Sequence, residues 1–331
     1  MPGDIQLELP VETLRGASGG MFMRNVTSKS RRRLLCFGKE VAMWKPIVQL
    51  LGVLMMTVST TGPARAQHVP FHEFSMGDVN VRVISLVQKD LNASILRPVT
   101  EAERNEVARA YPDGAVHNVL NILLLLGNGV TALVDTGYDW TIEALDAALA
   151  QAELAKEDVT HVVVTHAHGD HVGGLVRNGA AAFPRATVLF SERELAAWSD
   201  AEAAKSASDG MRRIFESVED IRRAYGERVR TFVPGTAFIP ALPGVQAVDE
   251  AGHTPGHVGI MVSAEGQTFL FWSDLLHAFD AQQSMPSISA SFDMEPEAAA
   301  HVREDMLRRA RAEGWLVAGS HVPFTEPRLL K

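Results

Sequence analysis

Cysteine is almost missing from the 331 residues: Cys36 is the single one, and it lies within the first 66 residues. Without that segment the chain has no thiol, which excludes a disulfide framework, a cysteine-rich zinc site and a cysteine nucleophile. Any metal must then be held by histidines and carboxylates. Basic charge is also short. The net charge is −9, and residues 67–331 hold 22 basic against 36 acidic side chains, a balance of about −14. Phosphate backbones are gripped by clustered cations, so no nucleic acid is expected as a partner; a neutral or cationic small molecule suits the charge better. Low-complexity tracts and short repeats are missing, and the 46% hydrophobic share is ordinary for a globular chain.

Long apolar runs are scarce near the N-terminus as well. Ile47–Val58 has 12 residues, short of the ~20 a spanning helix needs, so no stable membrane anchor is expected. Lys45 precedes this run and Ala64-Arg65-Ala66 closes the segment. That is the charged, apolar, Ala-x-Ala order of a secretory signal, with cleavage expected before Gln67 and a periplasmic or secreted product. Residues 1–66 are thus read as a targeting segment and 67–331 as one domain. Met21, Met23 and Met43 are alternative starts. Ser30-Arg31-Arg32-Arg33-Leu34-Leu35 faintly resembles a twin-arginine export motif, although Lys39, Glu40 and Lys45 separate it from the apolar run.

In the remaining chain, Val79–Val87 alternates as a half-buried strand does. Thr100-x-x-Glu103 and Ser191-x-x-Glu194 have the pattern of capping boxes, opening helices to about Tyr111 and Trp198. Asn118–Leu126 and Val130–Val134 are apolar runs split by Gly127-Asn128-Gly129, a hairpin signal. A helix is expected from Thr141, a short buried strand over Val159–Val164, and a polar helical excursion over Ala201–Arg230. Strands are expected at Thr231–Val233, Val245–Val248, Val258–Val262, Thr268–Trp272 and Trp315–Ala318, with an amphipathic helix over Glu295–Glu313. Two similar halves of strands and helices imply two sheets face to face with helices outside.

The chemistry concentrates after Val162-Val163-Val164-Thr165. His166, His168, Asp170 and His171 follow within six residues, then Gly173-Gly174. Four such groups cannot all be buried as packing residues, because each needs a polar partner. Imidazole nitrogen and carboxylate oxygen are good zinc ligands, and one tight turn can aim alternating side chains at two nearby points.

His166-x-His168-x-Asp170-His171 resembles the signature of the metallo-β-lactamase superfamily. Leu133-Val134-Asp135-Thr136-Gly137, Gly252-His253-Thr254-Pro255-Gly256-His257, Ser273-Asp274 and Gly319-Ser320-His321 resemble its other motifs, in order, over about residues 73–324. The resemblance implies an α+β fold: an αβ/βα sandwich of two mixed β-sheets flanked by helices. It implies a first metal on His166, His168 and His253, and a second on Asp170, His171 and His321. Asp274 bridges them, and Asp170 and Asp274 count as catalytic carboxylates. Two zinc ions per chain are the default; manganese, cobalt or iron fit the same ligands. A shared hydroxide would attack the substrate. Asp135 is read as orienting a ligand histidine, with a turn cap as its other reading. His257 supports or lines the site, or is an ordinary buried histidine. His277 is a candidate pocket residue. His68, His72, His117, His161 and His301 are read as structural or surface groups.

A bridging Asp274 resembles members acting on esters, lactones and phosphoesters, and His168 disfavours the flavodiiron branch. Gly77-Asp78-Val79-Asn80-Val81, Phe183-Pro184-Arg185-Ala186 and Leu195-Ala196-Ala197-Trp198 resemble the methyl parathion hydrolase group and its exported lactonase-like relatives. On that resemblance Trp198 is a pocket aromatic; a core tryptophan is the other reading. Hydrolytic dehalogenases of activated chloroaromatics, of the chlorothalonil type, share the same ligands. An iron-dependent persulfide dioxygenase and a binding protein on a dead scaffold are the readings from other classes. The expected partner is a small-molecule substrate, and a homodimer is allowed. The tail departs from the pattern: after His321 the chain ends at Lys331, which puts in doubt a pocket wall and a dimer contact.

Overall fold

The computed structural model describes residues 68–330. The targeting segment expected over residues 1–66, and the cleavage point expected before Gln67, lie outside the described residues. Omitting two-residue strands except the last, the first sheet has seven strands: β1 Phe71–Met76, β2 Val79–Gln88, β3 Val119–Gly127, β4 Val130–Val134, β5 His161–Val163, β6 Thr187–Ser191 and β7 Val229–Phe232, paired in that order. The first four run antiparallel to one another and the last four parallel. The second sheet is β8 Val245–Asp249, β9 Val258–Ala264, β10 Gln267–Phe271, β11 Leu316–Ala318 and β12 Arg328–Leu329. Only β10 and β11 are parallel there. Both sheets are mixed, as the resemblance implies.

The unbroken apolar run in β3 follows from burial on both faces, since successive side chains alternate across a strand. Leu123 and Leu125 pack toward the second sheet, against Val258, Ile260 and Phe271. Ile122 and Leu124 pack the other way, against α2 (Ile142–Gln151), α4 (Glu192–Trp198) and α6 (Asp209–Tyr225). Each such buried leucine or isoleucine contributes roughly 2 kcal/mol. On the far side, α8 (Pro296–Glu313) sets Met306 and Leu307 on Leu270 and Val317. The result is helix, sheet, sheet, helix.

Local signals set the helix ends. Thr100 Oγ1 accepts from the Glu103 N–H at 3.2 Å and the Glu103 carboxylate accepts from the Thr100 N–H at 2.8 Å, closing a capping box on α1 (Glu101–Ala110). α8 opens with Pro296 and ends at Gly314 in the left-handed region. Ser191 caps α4, but Glu194 does not close a box: its carboxyl turns into the protein. β5 is shorter than the apolar run over Val159–Val164, because only His161–Val163 pair with neighbouring strands. The tail stays in the fold. Phe324 is buried beside α8, and Arg328–Leu329 pair with β11 as an edge strand.

Candidate metal centre

The ends of β4, β5, β10 and β11 and the start of β9 meet at one edge of the sandwich. Each releases a loop there that bears histidine or aspartate. Two groups form. His166, His168, His253 and Asp274 bring one donor atom each within 4.8 Å of one another, and so do Asp170, His171, Asp274 and His321. These are the two sets the motifs imply, and Asp274 belongs to both. Its Oδ1 lies 3.1 Å from His171 Nε2, while Oδ2 lies 3.5 Å from His253 Nε2 and 3.2 Å from His321 Nε2.

In the first group, His168 Nδ1 stands 3.1 Å from His166 Nε2 and 3.0 Å from His253 Nε2. Burial holds His166 and His253 well below the ordinary imidazole pKa and pushes His168 down to about 4, so all three are neutral near pH 7. The Nδ1–H of His253 donates to Asp293 Oδ1 at 3.0 Å, which leaves its Nε2 as a bare lone pair. Lone pairs converging at this distance repel unless a cation lies among them, so the donor set fits a divalent metal.

The second group carries surplus negative charge. Burial opposes the charge on His171, but Asp274, Asp135 and Asp170 outweigh it and raise its pKa well above normal. Burial likewise opposes the charge on His321, yet Asp274 and Asp170 push it up to about 10. Buried His171 Nε2 has no hydrogen-bond partner and faces the carboxylates, a second indication that the place suits a cation.

Besides His253, the donors His171, His321 and Asp274 are each held by a specific partner. Asp135, at φ 66°, accepts from His171 Nδ1 at 2.8 Å and from the Thr165 backbone and hydroxyl at 2.9 and 2.8 Å. This orients a donor histidine, as expected; its turn-capping alternative is satisfied by the same carboxylate. His321 Nδ1 donates to the Val119 carbonyl at 3.0 Å. His257 Nδ1 donates to the Glu250 carbonyl at 3.0 Å, and its Nε2 accepts the Asp274 backbone N–H at 3.2 Å. It therefore supports Asp274 from behind. Such partners set tautomer and ring direction. His277 reaches the centre: its Nε2 lies 3.2 Å from Asp274 Oδ2 and its ring stacks on His321.

Trp198 does not line this site. It is 3% exposed, packs edge-on against Phe215, and donates its indole N–H to Glu194 Oε1 at 2.7 Å. Glu194, one turn earlier on α4, draws the ring into the core. The aromatic residues of the cavity are Tyr138, Trp140 and Phe292. Tyr138 and Trp140 stack at 5.0 Å, and Trp140 is 62% exposed. Their position just after Asp135-Thr136-Gly137 is a signal that could have marked them. The cavity measures about 680 Å³, with Asp170, Asp274, His277 and His321 at its floor.

Three further residues were not evident from the sequence. Asp293 orients His253 and pairs with buried Arg303 at 3.1 Å. Asn121, in β3, reaches the carbonyls of Gly319, Val322 and Phe324 at 3.0–3.2 Å and fixes the His321 loop. Glu194 is fully buried and accepts from the Ala167 and Gly256 backbone, the Thr254 hydroxyl and Trp198. It ties the His166–His171 loop to the His253 loop. Gly256 permits this: a Cβ there would lie 2.2 Å from the Glu194 nitrogen.

The sequence model of the metallo-β-lactamase superfamily matches residues 118–321, and the chain belongs to that superfamily. Among curated proteins, the human metallo-β-lactamase domain-containing protein 1 is 51% identical over 59 residues, 18% of this chain and 20% of that protein. A ribonuclease of Thermus thermophilus is 30% identical over 184 residues, 50% of this chain and 38% of that enzyme. The chain thus spans about a fifth of the length of the first of these relatives and under half of the second. Two solved structures share the fold. One is the hydrolase AbOPH of the β-lactamase superfamily, at TM-score 0.68 and 24% identity, covering 79% of this chain and 93% of that one. The other is AidC, a dizinc quorum-quenching lactonase, at TM-score 0.69 and 20% identity, with the same coverages.

Proposed function

We propose that this protein is an exported hydrolase that cleaves a small, mostly apolar ester, lactone or phosphotriester at a centre of two divalent cations, zinc first among them. The observation that carries the reading is Asp274, shared by two complete donor groups at the floor of an aromatic-walled cavity. Divalent cations held there supply Lewis-acid activation of water and of the substrate's oxygen. The chain's part is to present neutral imidazoles in the first group and carboxylate-rich donors in the second, to orient His171, His253 and His321 through Asp135, Asp293 and the Val119 carbonyl, and to exclude water with Tyr138, Trp140 and Phe292. We place the enzyme nearest the methyl parathion hydrolase and lactonase-like hydrolases.

The test is base uptake in a pH-stat with an acyl-homoserine lactone, an aryl ester, a methyl phosphotriester, a cephalosporin and a chlorinated dinitrile arene. Metal-dependent acid release from one of the first three supports the reading. Release from the arene alone makes the protein a hydrolytic dehalogenase. Silence from all five, with metal bound, overturns it.

A further inference from the structure

Overall charge and local charge disagree at the cavity. The chain is acidic, at −9, yet the acidic residues that line the cavity among those described are Asp170 and Asp274, both at its floor. Two cations line it higher up, Lys89 after β2 and Arg213 on α6, and both are exposed.

Neither cation has an acidic partner, although their neighbours do. α6 carries four arginines. Arg212 pairs with Asp209 at 3.6 Å, Arg222 with Glu219 at 3.4 Å and Arg223 with Asp220 at 2.7 Å. Arg213 shares the cavity face of the helix with Gly210, Ile214 and Ser217, at helical spacing, and no carboxylate meets it. The described lysines divide in the same way. Lys156 pairs with Asp146 and Lys205 with Glu202, while Lys89 stands alone. Adjacent Asp90 is taken by His117 at 2.8 Å. The rest of the lining is mostly apolar, with Val87, Leu91, Val119, Leu120, Ile214 and Phe292 beside the uncharged polar groups of Asn118, Tyr138 and Ser217.

We propose that Lys89 and Arg213 form an anion-recognition pair at the cavity mouth, so that the substrate is an apolar molecule carrying one carboxylate at the end remote from the bond that is cut. This rests on the hydrolase reading for the words "bond that is cut"; the recognition of an apolar carboxylate does not. A guanidinium binds a carboxylate in bidentate fashion and a lysine adds a point charge, while the apolar wall lowers the local dielectric and strengthens both.

The experiment is calorimetric titration of the purified protein with 4-phenylbutyrate and with its neutral isostere 4-phenylbutanamide. The acid should bind about tenfold tighter than the amide, and each of Lys89→Gln and Arg213→Gln should cut that preference about threefold, in line with partly exposed charge pairs. Salt at about 0.5 M should shrink it further. The amide's affinity should stay the same, and unchanged melting temperatures show that the variants are folded. Equal affinities in the unmodified protein, or no binding of either ligand, overturn the proposal. A preference that survives in the double variant also overturns it, because the carboxylate then sits on the Asp274 centre. If the preference holds while no ester, lactone or phosphotriester is turned over, the hydrolase reading fails and this assignment stands.

Discussion

Replacing Asp293 with asparagine separates support of the metal centre from support of the fold. One oxygen of Asp293 accepts from His253 and the other from Arg303 and from the Ala290 N–H. Burial works against this carboxylate's charge, but His253, His277 and Arg303 outweigh it and hold its pKa below the usual range. An amide has one acceptor where two are used, and it removes the counter-charge of Arg303, which is 1% exposed. Breaking a buried pair costs about 3 kcal/mol or more in stability, and losing the partner of a ligand histidine weakens metal binding about 10- to 100-fold. Urea unfolding measures the first quantity, and competition with a chromophoric chelator under native conditions measures the second. Both should fall in Asp293→Asn. If stability falls while metal affinity stays within about twofold, below the range such partners command, Asp293 is only the counter-ion of Arg303 and the orienting role assigned to it is wrong.

Glu250 gives a pH prediction. Both its carboxyl oxygens are buried without a hydrogen-bond partner, with His257 Nδ1 4.0 Å from Oε2, and burial raises its pKa well above normal. Above about pH 4.3 the unfolded chain ionises this group while the folded chain keeps the proton, so folding loses stability as pH rises toward the folded pKa. Thermal melts of Glu250→Gln should therefore gain on the unmodified protein as pH rises from about 5 to 8; a constant offset would show that Glu250 is already ionised in the fold. Trp198→Phe should cost about 1–3 kcal/mol through a lost buried hydrogen bond, with KM unchanged in a steady-state assay; a raised KM would return Trp198 to the pocket. Gly256→Ala forces a Cβ against the Glu194 backbone and should destabilise by about 3 kcal/mol or more in urea melts. A near-neutral result would mean that the two loops are not locked together.

The sandwich was legible because its signals are local and repeated. The strand over Val79–Val87 needed only alternation, the box at Thr100 only four residues, the run over Asn118–Leu126 only its unbroken apolar character, and the turn after it only Gly127-Asn128-Gly129, with positive φ at Asn128 and Gly129. The donor residues were legible because histidine clusters after a strand have few other uses. Asp135 and His257 apart, what stayed hidden are residues that hold the donors from elsewhere in the chain. Asp293, Asn121 and Glu194 lie 40, 200 and 27 positions from His253, His321 and Ala167, and no local period reports a contact made by topology. Trp198, which the sequence left between pocket and core, was undecided for the same reason. The four residues Leu195–Trp198 resemble a pocket segment, but the direction of the ring depends on the carboxyl one turn earlier. Net charge carries no positions either: the cavity's cations are Lys89 and Arg213, which a sum over the chain cannot locate.

Titrating zinc into the chelator-stripped protein, with bound metal and acid release recorded together, tests whether two cations at Asp274 drive hydrolysis. Acid release from an ester, lactone or phosphotriester should reach its plateau at two bound equivalents, and Asp274→Ala should lower both bound metal and release. Two equivalents bound with no acid release from any of these classes, or release that survives stripping, would contradict two-cation hydrolysis.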